Sequence, residues 1–226
     1  NECDSNNFYG IWILNSPNNI LISNHVFNSN GSGILVQGSS GSQVSLNILV
    51  LNGDSGIWLD RSEGCVVQFN IAELNTDGVY ISESNDNELS SNIFNGNDYG
   101  LILYGSNGNW MNGNNCSEGE YGIYIMSNCK DNIVANNTFS GNSLDGIFVQ
   151  GSHQNTIFNN TCVLNRNGIV LEGVESSPIA NNTCFRNTDT VMYLYSSSHN
   201  TISGNSIYEN QYRLTINGFS TGNELF

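Results

Sequence analysis

Glycine followed by an apolar-x-apolar triplet recurs along the chain at GIWI from Gly10, GILV from Gly33, GIWL from Gly56 and GVYI from Gly78. It returns at GLIL from Gly100, GIYI from Gly122, GIFV from Gly146 and GIVL from Gly168, and VMYL from Val191 and RLTI from Arg213 keep the triplet without the glycine. The steps are 22 to 24 residues. A second apolar position keeps the same phase, at Leu21, Val44, Val67, Leu89, Met111, Ile157, Ile179 and Ile202. Three residues after it stands an asparagine: Asn24, Asn47, Asn70, Asn92, Asn114, Asn137, Asn160, Asn182 and Asn205. A second asparagine column holds Asn52, Asn75, Asn97, Asn142, Asn165, Asn187 and Asn210, with Asn6 opening it.

Each repeat thus carries three short period-2 segments separated by Asn, Gly and Ser, and none has helical spacing. Strands this short bury an apolar face only by stacking on identical neighbours, about 4.8 Å apart. The fold predicted is all-β, a right-handed parallel β-helix of about ten coils with three strands each, in one domain over residues 1–226. Asparagine tolerates left-handed backbone at corners, and its amide can bond the copies above and below. The glycine phase calls for positive φ or close backbone approach.

The pattern N-T-I-x-x-N-x-x-x-x-N-x-x-G-I-x-L, read at Asn155 to Leu171, resembles the NosD-like, CASH-type repeat of right-handed parallel β-helices and covers nearly the whole chain. Families with this repeat include polysaccharide-active enzymes, periplasmic copper-maturation proteins and archaeal cell-surface proteins. The resemblance implies the scaffold, because its residues are scaffold residues.

Alternation along the strand turns the middle residue of each triplet outward. That column reads Trp12, Leu35, Trp58, Tyr80, Ile102, Tyr124, Phe148, Val170, Tyr193, Thr215, a stripe roughly 45 Å long. The expected binding residues are Trp12, Trp58, Tyr80, Tyr124, Phe148 and Tyr193, facing polysaccharide or copies of the chain and neighbouring β-helices. Aromatic residues also stabilise strands by stacking on one another, whatever they touch. A catalytic residue is not expected. If the protein is an enzyme, a glycan hydrolase or lyase, the set with acid-base potential is Asp60, Arg61 and Glu83, with Asp77 nearby; otherwise these are surface ion pairs.

Cys3, Cys116, Cys162 and Cys184 share a column with Val26, Leu49, Ala72, Phe94, Phe139 and Ile207, and so read as core residues. Cys162 and Cys184 lie one coil apart, near enough to bridge but with side chains in parallel. Cys65 and Cys129 fall in turns and are open to bridging another molecule. His25, His153 and His199 sit on separate coils, so no metal ligand set and no cofactor is expected; Ca²⁺ on the acidic surface is the one metal left open. Of the sequons at Asn30, Asn115, Asn136, Asn159 and Asn181, three are repeat consensus that the scaffold alone would generate.

Twenty acidic residues against five basic ones give a net charge of −15, which disfavours nucleic acid and anionic lipid. No apolar run is long enough to span a membrane. The chain opens and closes inside coils without polar caps, as expected of a segment of a longer β-helix or of units stacked end to end. The role expected is structural or adhesive at the cell surface or envelope, as in an archaeal sheath or surface layer, with a polysaccharide-degrading enzyme as the alternative.

Overall fold

The computed structural model describes residues 1–226, and the repeat is visible in it as three parallel sheets running side by side along one axis. Sheet I stacks ten strands, from Ile11–Leu14 to Tyr212–Asn217, each built on the glycine-led triplet. Sheet II stacks ten more, from Ile20–Ile22 to Glu224–Leu225. Sheet III comes in two runs, Glu2–Asp4 to Ile71–Glu73 and Asn115–Ser117 to Ser206–Tyr208, joined where Ile93 bridges Ile71 and Asn115. The architecture is the predicted right-handed parallel β-helix.

Register is strict, so a column in the sequence is a line in space. Leu21, Val44 and Val67 pair successively, and Leu89 continues the line. These residues, the first and third positions of the triplets, and the column containing Cys116, Phe139, Cys162 and Cys184 form one core of 37 buried residues. The cysteines are free. Burial pushes the Cys116 and Cys162 thiols well above the ordinary range, which keeps them neutral and unreactive.

The corners follow a two-residue rule that differs from expectation. The left-handed residue is not the ladder asparagine but the one before it, and almost any side chain serves there. Leu46, Phe69 and Asn136 precede Asn47, Asn70 and Asn137 at φ 57°, 56° and 57°. Leu51, Leu74 and Leu164 do the same before Asn52, Asn75 and Asn165, with φ 58°, 57° and 59°. Such a conformation costs a leucine roughly 1–2 kcal/mol, and the inward asparagine offsets it. The backbone N–H and Nδ2 of Asn70 both donate to Oδ1 of Asn92, at 2.9 and 3.0 Å, while Nδ2 also donates to the Val44 carbonyl at 2.8 Å. The amide's capacity is filled inside the protein, where an unpaired group would be expensive.

Two further ladders escaped the sequence reading. Asn87, Asn109, Asn132, Asn155, Asn200 and Asn223 form a third asparagine line, in which Cys65 occupies one rung and gives its N–H to Oδ1 of Asn87 at 2.8 Å. Ser39, Ser62, Ser84 and Ser106 form a serine line whose next rung is Cys129, its Sγ accepting from the Ser106 N–H at 3.2 Å. Cys65 and Cys129 are therefore buried stand-ins for polar rungs, at 1% and 0% exposure, and are not placed to bridge another molecule. Of 145 backbone hydrogen bonds, 74 lie outside the strands, so the turns are tied coil to coil about as densely as the sheets.

The triplet glycines answer to close approach rather than positive φ. A Cβ on Gly56 would sit 2.6 Å from the Ala72 Cβ, and one on Gly100 would sit 2.5 Å from the Cys116 Cβ and from the Gly122 carbonyl oxygen. Their missing side chain lets sheet I close onto sheet III across the core.

Candidate functional site

The predicted outward column is a line in the structure: Trp12, Leu35, Trp58, Tyr80, Ile102, Tyr124, Phe148, Val170, Tyr193 and Thr215 pair in succession across sheet I. It is less open than expected. Leu35, Ile102 and Val170 are buried on the outer face, and Trp58, Tyr80, Tyr124, Phe148 and Tyr193 are half-buried, while Trp12 is exposed. The rings cover one another and the aliphatic rungs between them. Trp58 stacks on Tyr80 with centroids 5.7 Å apart, and its Nε1 donates to Ser82 Oγ at 2.8 Å. Tyr124 stacks on Phe148 at 4.8 Å.

A second outer column lies beside it, formed by the residue before each triplet glycine. Along coils four to seven it reads Asp77, Tyr99, Tyr121, Asp145. Tyr99 and Tyr121 are nearly parallel, 3° apart with centroids 5.3 Å apart. Tyr121 also stacks on Tyr124 at 5.6 Å and Phe148 at 5.8 Å. The four rings form a continuous platform two columns wide. Strict alternation from Val79 and Ile81 would place Asp77 inside; the phase slips at Gly78, whose absent side chain would point inward at Phe94 and which the strand register skips. The signal was one residue upstream of the repeat glycine, where the alternation rule pointed the wrong way.

The two carboxylates at the ends of this run are unusual. Asp77 is 6% exposed and Asp145 is 8% exposed. Burial pushes each up to about 6, Asp54 and Asp98 adding repulsion at Asp77, with Ser55 and Asn167 opposing through hydrogen bonds of 2.9 and 2.7 Å. The second oxygen of each carboxylate accepts no hydrogen bond from the protein. Burial, with Asp145 adding repulsion, also holds the Tyr121 phenol up at about 12.

A carboxyl whose folded value exceeds its unfolded one binds more protons when folded, so its penalty is absent at low pH and grows as pH rises from about 4 to about 6. Asp77→Asn and Asp145→Asn should each raise stability at pH 7 by about 2 kcal/mol and change it little at pH 4, as read from urea midpoints.

The other predicted set comes apart. Arg61 pairs with its own neighbour Asp60, Nη2 to Oδ2 at 2.7 Å, rather than with Glu83 on the next coil. Burial pushes Asp60 up, but bonds from Arg61, Gln37 and Ser82 outweigh it and hold the carboxyl below its usual range. Asp77 stands at the other end of the strand Asp77–Ser82, with Ser82 the residue opposite Asp60. Asp60, Arg61, Glu83 and Asp77 therefore share no site: left-handed corners aim Arg61 and Glu83 outward, while Asp77 lies about 16 Å along the strand.

No group of three or more His, Cys, Asp and Glu residues converges on one point. No helix of the structure is long and apolar enough to cross a membrane.

Coil, sheet and ladder define a right-handed parallel β-helix. The family model described as periplasmic copper-binding protein (NosD) matches residues 99–226, and that of the right-handed β-helix region matches residues 1–116; the chain belongs to the NosD group of right-handed β-helices. Its residues bring no copper-ligand set together: the histidines lie on separate coils, and of the five buried thiols only Cys162 and Cys184 are adjacent, in one core line, without a third His, Cys, Asp or Glu beside them. No curated protein matches the sequence. Among solved structures, the A-module of the Azotobacter vinelandii mannuronan C-5 epimerase AlgE4 superposes with a TM-score of 0.78 at 16% identity, over 91% of this chain and 64% of that one. The AlgE6 A-module gives 0.76 at 20% identity, over 93% and 65%. The chain thus spans just under two thirds of those modules. Tailspike protein 2 of bacteriophage CBA120 gives 0.79 at 11% identity, over 98% and 42%. At these identities the likeness is one of fold.

Proposed function

We propose that this chain is a non-catalytic polysaccharide-binding β-helix of the cell envelope or exterior, which holds glycan on the outer face of sheet I. The observation that carries the reading is the stacked platform of Tyr99, Tyr121, Tyr124 and Phe148 between two buried carboxylates. Flat aromatic surface suits the apolar faces of sugar rings, and carboxylate oxygens without protein partners suit hydroxyls. The solved structures of like fold include alginate epimerases and a phage tailspike described as enzymatically active, which supports a polymeric ligand, and a periplasmic epimerase among them supports the location.

The two buried carboxylates do not form a glycosidase pair. Asp77 and Asp145 are three coils apart, roughly 14 Å, beyond the ~5–9.5 Å that glycosidase carboxyl pairs require. The raised value at Asp77 does suit a general acid, and keeps an enzymatic reading as the alternative.

The test is retention on a panel of immobilised polysaccharides. The protein should bind at least one glycan, and the Tyr121→Ala, Tyr124→Ala double variant should bind it at least tenfold more weakly. Binding unchanged in that variant would move the site elsewhere, and new reducing ends or unsaturated products from a bound glycan would make the protein an enzyme.

A further inference from the structure

The face just described is acidic throughout. Asp77 adjoins Tyr99 in one column and Asp145 adjoins Tyr121, while Asp54, Asp98 and Glu120 act on the same groups through their charge. Compensation is scarce. The three ion pairs of the structure join Arg61 to Asp60, Arg166 to Asp189 and Arg186 to Glu209, and none of them neutralises Asp77 or Asp145. Arg166 reaches Asp145 only through space, its guanidinium being held by Asp189 at 3.5 Å. Each carboxylate is more than nine-tenths buried, one oxygen bonded by a neutral donor and the other reaching solvent without a hydrogen bond from the protein.

We propose that the glycan held on this platform carries free amino groups, and that its ammonium nitrogens pair with Asp77 and Asp145 while its rings lie on Tyr99, Tyr121, Tyr124 and Phe148. The inference rests on the polysaccharide reading above and narrows it to a cationic polymer. Charge decides between substrate classes. A polyuronate laid here would set its own carboxylates against those of the protein, in a region where burial weakens screening. A neutral glycan would gain ring stacking but leave both buried charges unpaired. An amino sugar supplies the missing cation at each end of the platform, and a charge-assisted hydrogen bond in a partly desolvated site is roughly twice as strong as a neutral one. Ammonium over the tyrosine faces adds a cation–π contribution.

The experiment compares three oligosaccharides of equal length by titration calorimetry at low and physiological salt: a glucosamine hexamer, an N-acetylglucosamine hexamer and a mannuronate hexamer. The glucosamine hexamer should bind at least tenfold more tightly than its acetylated counterpart, and the mannuronate hexamer should not bind. Asp77→Asn with Asp145→Asn should remove that preference, so that the amine and acetylated sugars bind alike; both substitutions are expected to favour the folded state, so loss of fold does not confuse the result. Glu88→Gln with Glu175→Gln, on and beside sheet II, should leave the preference intact. Equal binding of the amine and acetylated sugars, a preference that survives the aspartate variant, or one that falls as much in the glutamate variant would overturn the inference while leaving polysaccharide binding standing. No binding of any polysaccharide, here or on the immobilised panel, would remove both.

Discussion

Asn92→Leu is expected to destabilise the protein by about 4 kcal/mol, seen as a fall in the urea midpoint at unchanged slope. Leucine matches asparagine closely in size, so the cost is one of hydrogen bonding rather than of a cavity. Oδ1 of Asn92 accepts from the backbone N–H and Nδ2 of Asn70 at 2.9 and 3.0 Å, and its Nδ2 donates to the Val67 carbonyl and to Oδ1 of Asn114, both at 2.9 Å. The substitution takes all four bonds and strips partners from buried groups on three residues. The Asn70 N–H, left without a partner, costs about 1–3 kcal/mol, and each of the other lost bonds about 1 kcal/mol, since Asn70 Nδ2 keeps the Val44 carbonyl and Asn114 Oδ1 keeps the N–H of residue 92. The exposed Asn30, outside the ladders, is the control; Asn30→Ala should stay within about 0.5 kcal/mol. A loss below 1 kcal/mol at Asn92 would mean that water replaces the rung and that the ladders are incidental to stability.

Gly78→Ala should cost about 3 kcal/mol, the upper end for overpacking by one carbon. The new Cβ would stand 2.5 Å from the Gly100 carbonyl oxygen and 2.7 Å from the Phe94 Cβ. A flexible side chain gives way at small cost, but the first of these obstacles is backbone on the next coil. Gly64→Ala serves as a comparison of the other kind: its Cβ would meet nothing within 4 Å, and its penalty would come only from φ at 61°. The expected ordering, Gly78 worse than Gly64, is read from thermal midpoints. The reverse order would show that the repeat glycines are kept for conformation rather than for closeness.

The fold was legible because stacking makes position periodic. Any column with one chemical character from coil to coil, such as the nine-residue line from Asn24 to Asn205, announces itself without reference to three dimensions. Less was legible where a line mixes residue types. The serine line includes Cys129 and Val174, and the third asparagine line includes Cys65 and Ser177, so their common role, an acceptor or small group under a left-handed corner, shows only in the hydrogen bonds and the stacking. The corner conformation was misassigned for a similar reason. Asparagine's tolerance of positive φ is real, yet Leu46 and Phe69 occupy the strained position because the next residue, not their own type, secures the turn.

The site was half legible. The triplet column was found by alternation and lies where alternation placed it. Asp77, Tyr99, Tyr121 and Asp145 were not grouped, because the phase slip at each glycine turns the preceding residue outward. Arg61 and Glu83, though aligned, do not pair, since Asp60 is nearer to Arg61 than the next coil is.

In the ladder from Asn24 to Asn182 every rung's N–H and Nδ2 donate to the Oδ1 of the following coil, and every Oδ1 accepts from the preceding one. Because the backbone N–H donates to the same oxygen, no single amide can rotate by half a turn without facing a donor with a donor. The side-chain dipoles therefore add instead of cancelling, as peptide dipoles do along an α-helix, and give an otherwise dipole-poor stack of strands a fixed electrical direction along its length.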